Sequence, residues 1–166
     1  MASYADNDFI CHYRSGEGVR EMATVFDVAR YILKKKGALS TVKLQKLIYY
    51  CQAWSLVWDE RPLFREQIQA WANGPVVPKL FQHHKGKFTV STSDFTSADC
   101  RNLTSSQKDT INSVLNHYGD KTSQWLVDLT HLEDPWRNAR GKCRCGEPSN
   151  SVISYGSMME YYSGLK

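Results

Sequence analysis

Cysteine and histidine are the side chains in this 166-residue sequence that would hold a metal ion. Cys143 and Cys145 form the only close cysteine pair, and Cys11-His12 is the only Cys-His neighbour pair. Structural zinc sites usually place about two to four residues between paired cysteines, because tetrahedral ligation needs a turn between them. The single intervening residue here favours a turn-rich loop over a composite zinc site of all four. We predict no metal and no cofactor; the enzymatic alternative, a hydrolase or metal enzyme, would use His131 or the close cysteine pair.

The sequence offers no recognisable catalytic set. Cys51 falls on the apolar stripe of a helical segment, which favours a buried, unreactive thiol. The adjacent His83 and His84 would point in different directions on a helix, and we expect both at the surface. Two carboxylate pairs, Asp59-Glu60 and Glu133-Asp134, flank prolines and are expected to lie in solvated turns. With no nucleophile elbow and no phosphate-binding glycine loop, we predict that the protein is not an enzyme.

Charge gives little support for nucleic-acid binding. The net charge is +4, from 21 Lys and Arg against 17 Asp and Glu, and the only tight basic run, residues 34–36, is typical of a solvated helix end. A DNA-reading helix would carry Arg, Asn or Gln on its outer face, and the nearest match is Lys43, Gln45 and Lys46. Burial explains the longer pattern of that helix better. Nucleic acid is therefore not the predicted partner, and a nucleic-acid-binding regulator, with affinity that falls steeply with salt, is an alternative.

Helices must position most of these residues. Their starts carry capping signals, at Thr24 with Asp27, Ser40 or Thr41, Thr104 with Gln107, Thr122 or Ser123, and Ser154. The second helix should run for about 19 residues and form the spine of the core. Its apolar stripe is continuous: Leu44, Leu47, Ile48, Cys51, Trp54, Ser55 and Trp58. We expect Lys43, Lys46 and Gln52 to lie off this stripe.

The middle of the chain changes period. Residues 63–72 alternate apolar and polar side chains, which predicts a short strand. Residues 73–75 form a predicted turn, and 76–84 a short helix with a proline in its first turn. Residues 88–90 are predicted as a second strand that pairs with the first. Pro135 is expected to end the helix before it.

The composition suits one folded domain, with 42% hydrophobic and 12% aromatic residues. No apolar run approaches the ~20 residues that span a bilayer, and the N-terminus lacks the basic and apolar regions of a signal peptide. The five cysteines are an odd set typical of reduced thiols, so we expect a cytoplasmic protein with no membrane partner. Residues 1–22 are predicted as a polar arm and 23–166 as one domain. The predicted class is mostly α (α+β), a compact helical domain of about five or six helices with a small antiparallel β-hairpin or sheet.

Aromatic residues are the remaining clue to function. The sequence has five Trp, nine Tyr and six Phe, and many of them must be core. Trp and Tyr are enriched at the energetic centres of protein interfaces, and those near predicted turns are candidates for exposed anchors. Together with the missing catalytic groups, this favours an interaction protein over an enzyme.

Three segments, taken in order, resemble a known family. They are residues 43–50 (KLQKLIYY), 70–81 (AWANGPVVPKLF) and 129–136 (LTHLEDPW). Together they are similar to the SocA-like antitoxin family, or Panacea domain, including its phage-associated relatives. The resemblance implies a non-catalytic, antitoxin-like inhibitor that neutralises a protein toxin, by direct binding or by delivering it to a protease. The alternative that it leaves open is a phage or mobile-element anti-defence protein that binds a host defence protein.

The resemblance also directs attention to candidate partner-binding residues. They lie in the second and third segments: Trp71, Asn73, Gly74, Pro75, Val76, Pro78, His131, Pro135 and Trp136. Trp71 and Trp136 could either seal the core or form part of the binding face. Loss of a buried Trp would cost about 3–5 kcal/mol of stability, whereas loss of an exposed one would cost binding and leave the melting temperature almost unchanged.

Overall fold

α-Helices dominate the residues that the computed structural model describes, 21–165. They are α1 (Val25–Lys36), α2 (Thr41–Trp58), α3 (Pro78–His84), α4 (Ser105–Tyr118), α5 (Ser123–Leu132), α6 (Asp134–Arg140) and α7 (Tyr155–Ser163). Two short 3-10 turns, Thr92–Phe95 and Cys100–Asn102, precede α4. The mostly-α class is confirmed, with seven described helices in place of the expected five or six. The predicted arm at 1–22 lies outside the described residues as far as residue 20.

The helices begin where the sequence signals their caps. At the starts of α1 and α4, a Thr hydroxyl accepts from the N–H three residues on, and the side chain at that position accepts from the Thr N–H. The cap residues of α1, α2, α4, α5 and α7 are Thr24, Ser40, Thr104, Thr122 and Ser154. The helix before Pro135 ends at Leu132, as expected. Pro135 itself lies in the first turn of a further helix, α6, where a missing N–H removes no helical hydrogen bond. That extra helix accounts for part of the higher count.

Four short strands form two antiparallel pairs. They are β1 (Leu39–Ser40), β2 (Gln69–Trp71), β3 (Gly74–Val76) and β4 (Thr89–Val90). β4 pairs with β1, and β2 pairs with β3 through a two-residue loop. The predicted pairing of residues 88–90 with 63–72 is therefore wrong, because β2 finds a nearer partner in residues that we expected to form a turn and a helix start. Val152 also bridges Gln69 on the free side of β2.

Helix α2 is the spine of the core, as predicted. It packs against α1, α4, α5 and α7 and against β3. Because neighbours surround it, burial extends beyond the predicted stripe: Lys46 and Gln52 are buried, whereas Trp58 is exposed. Gln52 is accommodated because its amide donates to Phe64 O and accepts from Leu63 N–H. The expectation that Lys46 and Gln52 lie off the buried surface is wrong.

The thiols of the described residues are unpaired. Cys51 is buried in the core, as predicted, and burial raises its pKa. Cys143 and Cys145 are exposed, and Cys11 lies outside the described residues. Among the helices between residues 21 and 165, none is long and apolar enough to cross a membrane.

Candidate functional site

The β2–β3 hairpin is held in place through its backbone by side chains from two helices. On the β2 side, Arg140 of α6 donates from Nη1 to Ala70 O at 3.0 Å. Trp136 of the same helix donates from Nε1 to Trp71 O at 2.9 Å. Both donors are buried, so α6 fixes the first strand at two consecutive carbonyls.

Helix α2 fixes the other strand. Lys46 Nζ donates to Pro75 O at 3.0 Å. Gln45 accepts from the Val77 N–H at 2.9 Å and donates to Val77 O at 3.4 Å. His84 lies behind it, with its Nε2 3.0 Å from Gln45 Nε2. We call the set Gln45, Lys46, Trp136 and Arg140 the hairpin clamp.

Gly74 is the point of closest approach between the hairpin and its clamp. Its φ of +105° is rarely adopted by residues with a side chain. A Cβ at this position would lie 2.7 Å from Lys46 Cε and 2.9 Å from Thr130 Oγ1. The glycine therefore lets β3 pass directly over the lysine side chain.

His131 and Trp136 form a stacked pair beside the hairpin loop. Their ring centroids are 4.1 Å apart, with an interplanar angle of 16°. Burial lowers the pKa of His131, and the charge of nearby Lys46 lowers it further; both effects favour the neutral ring. Its Nε2 is buried without a hydrogen-bond partner in the described structure.

A second polar cluster lies deeper in the core. Glu133, which was expected in a solvated turn, is buried and accepts hydrogen bonds from Tyr50 at 2.9 Å and Tyr162 at 2.6 Å. Tyr162 also contacts Tyr49 at 3.1 Å between hydroxyls. Burial raises the pKa of Glu133 to about 7.

The charged and neutral forms of the clamp lysine, Lys46, have similar free energies near pH 7. Lys46 is 1% exposed, and burial lowers its pKa to about 7. A general acid or base must reach the proton that it transfers, and neither Lys46 nor Glu133 is accessible to a substrate. Both groups therefore act on the fold: Lys46 positions the hairpin and Glu133 joins α2 to α7.

Possible metal ligands are scattered through the described part of the chain. No group of three or more His, Cys, Asp or Glu side chains between residues 21 and 165 is arranged to hold an ion. Cys143 and Cys145 lie in the exposed loop after α6, and Cys11 and His12 fall outside the described residues.

The family follows from a comparison with known proteins. A family model described as the SocA-like antitoxin, Panacea domain, matches residues 44–137. The chain belongs to this family. No curated protein and no solved structure matches it. The match runs from the first turns of α2 into α6 and includes three of the four clamp residues. Membership of the family supports an antitoxin-type role for this Panacea domain.

The three segments that carry the resemblance meet at the hairpin. The first supplies Gln45 and Lys46, the second forms the hairpin, and the third supplies Trp136. The candidate partner-binding residues differ in exposure: Asn73 is exposed; Trp71, Val76, Pro78 and His131 are half-buried; Gly74, Pro75, Pro135 and Trp136 are buried. The structure thus brings the candidates together, and about half of them line the surface.

The outer surface of the hairpin is largely apolar. Val76, Gln69 and Val152 lie side by side across three adjacent chain segments. Trp71 donates from its Nε1 to Gln69 Oε1 at 2.9 Å and contacts Phe81 edge-on, with 4.9 Å between ring centroids. The half-buried Trp71 side chain is therefore held in place by a hydrogen bond and a ring contact.

Sequence patterns missed several residues that shape this site. Gln45 and Lys46, two of the three residues nearest to the pattern of a DNA-reading helix face, are both buried. His84 was expected at the surface and is buried against Gln45; its neighbour His83 is exposed, as predicted. Arg140 carried no sequence signal. For Gln45 and Lys46, the one clue in the sequence is that polar residues lie on more than one side of the longest helix.

Proposed function

We propose that this Panacea domain is a non-catalytic inhibitor that neutralises a protein toxin by binding it directly through the outer surface of the β2–β3 hairpin. The observation that carries the proposal is the clamp: four side chains from α2 and α6 fix the backbone of both strands. A binding loop that is ordered before it meets its partner loses less conformational entropy on association. The clamp therefore stabilises one presentation of the hairpin.

The composition of the surface supports a protein partner. Trp71, Val76 and Val152 provide apolar area, and Asn73 at the hairpin loop provides a polar group at its edge. Leu132, 71% exposed at the end of α5, follows the half-buried His131. Aromatic anchors among apolar and polar neighbours are typical of the energetic centre of an interface.

Growth rescue tests the proposal. The product of the neighbouring gene is expressed with the wild-type protein or with a variant, and colony formation is counted. Wild type should restore growth. Trp71→Ala should lose rescue because it removes the half-exposed anchor, and Asn73→Arg should lose it because an extended cation is placed on the loop.

The matched control is Trp58→Ala. Trp58 is also a partly exposed tryptophan, stacked on Trp54 at the far end of α2, so its loss should leave rescue intact. Thermal melts of all variants separate binding from folding: the result counts when the melting temperature of Trp71→Ala or Asn73→Arg stays near that of wild type. Rescue by both hairpin variants would overturn the assignment of this surface.

The identity of the captured partner separates the two biological roles. Binding to the product of the neighbouring gene supports the antitoxin role. Binding to a host defence protein, with no effect on the neighbouring product, would replace it with the anti-defence role on the same surface.

A further inference from the structure

Three chain segments meet at the N-terminus of α2. The hydroxyls of Ser40 and Ser123 are 2.8 Å apart, which joins the starts of α2 and α5. The Thr41 N–H donates to Phe88 O at 2.9 Å, which joins α2 to the chain entering β4. The segments that carry the residues next to these contacts therefore meet at one place in the fold.

This region exposes three large apolar side chains. Phe88 is 82% exposed, Val42 41% and Trp125 40%. Single exposed apolar residues are common on protein surfaces, but a group of them marks an interaction site. Here each one lies within two residues of a contact that joins the segments.

Lysines border the same apolar group. Lys36 Nζ lies 2.7 Å from Asp120 Oδ1. The hydrogen bond from Lys36 is the largest effect that lowers the pKa of Asp120, and the charges of Lys36, Lys43 and Lys121 lower it further. Three cations therefore lie near one carboxylate. Lys121 Nζ also lies 5.0 Å from the centre of the Trp125 ring. The surface is therefore apolar with a net positive edge.

We propose that this surface, the lysine–aromatic face, binds an acidic segment of the partner protein that carries apolar side chains. The face consists of Lys36, Val42, Lys43, Phe88, Lys121 and Trp125. The proposal rests on the proposed function, since it names the chemistry of the partner that the hairpin would contact. Charge complementarity supplies the attraction and orientation, while the apolar side chains lose exposed area on binding.

The observations favour a protein over a nucleic acid. Bidentate recognition of a phosphate is supplied by the planar guanidinium of Arg, and the cations of this face are all lysines. Val42 has no ring on which a base could stack. Gln45 and Lys46, two further polar residues of the first turns of α2, face the hairpin and the core.

Peptide binding tests the lysine–aromatic face directly. The probe is a 16-residue peptide of alternating Glu-Glu and Leu-Trp pairs, added to the full-length ¹⁵N-labelled protein. We expect the indole N–H signal of Trp125, assigned with Trp125→Phe, to shift on binding. Affinity should fall when NaCl is raised from 50 to 300 mM, because salt screens exposed charges. Lys43→Glu with Lys121→Glu should weaken binding about tenfold.

The matched control changes the same charge elsewhere. Lys85→Glu with Lys142→Glu alters two exposed lysines outside the face and should leave affinity within about twofold. A melting temperature is measured for every variant, and Lys43→Gln with Lys121→Gln replaces the first pair if it unfolds. An equal effect of the control pair, or no shift at Trp125, would overturn the proposal.

Two further probes test the chemical class of the partner. A peptide of Glu and Ser with the same charge should bind at least fivefold more weakly than the Glu, Leu and Trp peptide. Equal binding, or tighter binding of a DNA duplex, would show a general polyanion surface and overturn the assignment. Because no toxin is used, the outcome is independent of growth rescue: rescue that persists in both hairpin variants would count against the hairpin alone, whatever the peptide result.

Discussion

Two buried groups make stability depend on pH in opposite directions. Burial raises the pKa of Glu133 from 4.5 to about 7 and lowers that of Lys46 from 10.5 to about 7. The Glu133 contribution to stability is present below pH 4.5, where both states are protonated, and is lost as the pH rises to 7. Folded Lys46 releases its proton before the unfolded chain does, so stability rises from pH 7 toward 10.5. These two groups together place a minimum of stability near pH 7.

Glu133→Gln should abolish the fall in stability between pH 4.5 and 7. The variant cannot ionise, but its amide oxygen can still accept from Tyr50 and Tyr162. Raising the pKa of the carboxyl to about 7 corresponds to a cost of about 3 kcal/mol above that pH. In urea denaturation we expect the variant to match wild type at pH 5 and to exceed it at pH 8. Parallel pH profiles of the two proteins would contradict this role for Glu133.

Lys46→Met should abolish the rise in stability above pH 7. Wild type should gain up to about 1.4 kcal/mol per pH unit between pH 7 and 9, and the variant should lack this gain. The variant also leaves Pro75 O without its donor, which costs about 1–3 kcal/mol, so it should be less stable than wild type at pH 9. Lys85→Met, a change at an exposed lysine, is the control that should keep the rise. The measurement is urea denaturation at each pH.

The buried polar residues show where sequence patterns fail at this scale. Cys51 was placed correctly because its apolar neighbours recur at helical spacing. Lys46 was misplaced because that pattern assumes one buried face, whereas α2 is covered on several sides. Glu133 was misplaced because its position before Pro135 suggested a solvated turn, and its hydroxyl partners come from distant helices. No local pattern encodes a hydrogen bond across 83 residues, the separation of Tyr50 and Glu133.

The hairpin is the element whose geometry tolerates least change. Gly74→Ala would place a methyl group against Lys46 and Thr130 while keeping an unfavourable positive φ. We expect the free energy of unfolding to fall by more than about 3 kcal/mol, because overpacking and backbone strain act together. The measurement is thermal unfolding, read together with hydrogen exchange of the Trp71 and Val77 amides.

Gly86→Ala separates strain from packing in the same experiment. Gly86 also has a positive φ, +84°, but a Cβ there would meet nothing within 4 Å. Gly86→Ala should lower the free energy of unfolding by about 1 kcal/mol and should leave the hydrogen exchange of the hairpin amides unchanged. Equal losses for the two variants would show that the approach of Gly74 to Lys46 does not constrain the hairpin.

The prediction of elements succeeded where the information was local. Caps such as Thr24 and Thr104 combine two residues three apart, so the starts of α1 and α4 were predictable. Strand pairing is non-local: β4 was assigned to the wrong partner because short strands carry no signal for register or neighbour. The candidate site was predicted as three separate segments, and only the tertiary structure shows that two of them hold the backbone of the third.

At the scale of the whole molecule, the hairpin and the lysine–aromatic face divide recognition between two surfaces. Both are anchored on α2: Gln45 and Lys46 hold the hairpin, while Val42 and Lys43 belong to the other face. Two contact areas that are held by the same helix gain from a high effective concentration once the first is bound. A partner that spans both would therefore be bound more tightly than by either surface alone.

Direct neutralisation and delivery to a protease predict different fates for the partner. If the complex itself inhibits, wild-type protein should restore growth while the partner persists, and purified components should form a stable complex without a protease. We expect this outcome, since a preorganised hairpin and a second charged face favour a long-lived complex. The measurement is the partner's half-life after translation is stopped, with and without this protein. Trp71→Ala, which should not bind, is the control. A half-life shortened by wild type but not by Trp71→Ala would instead assign the molecule as an adaptor, with the hairpin holding the cargo.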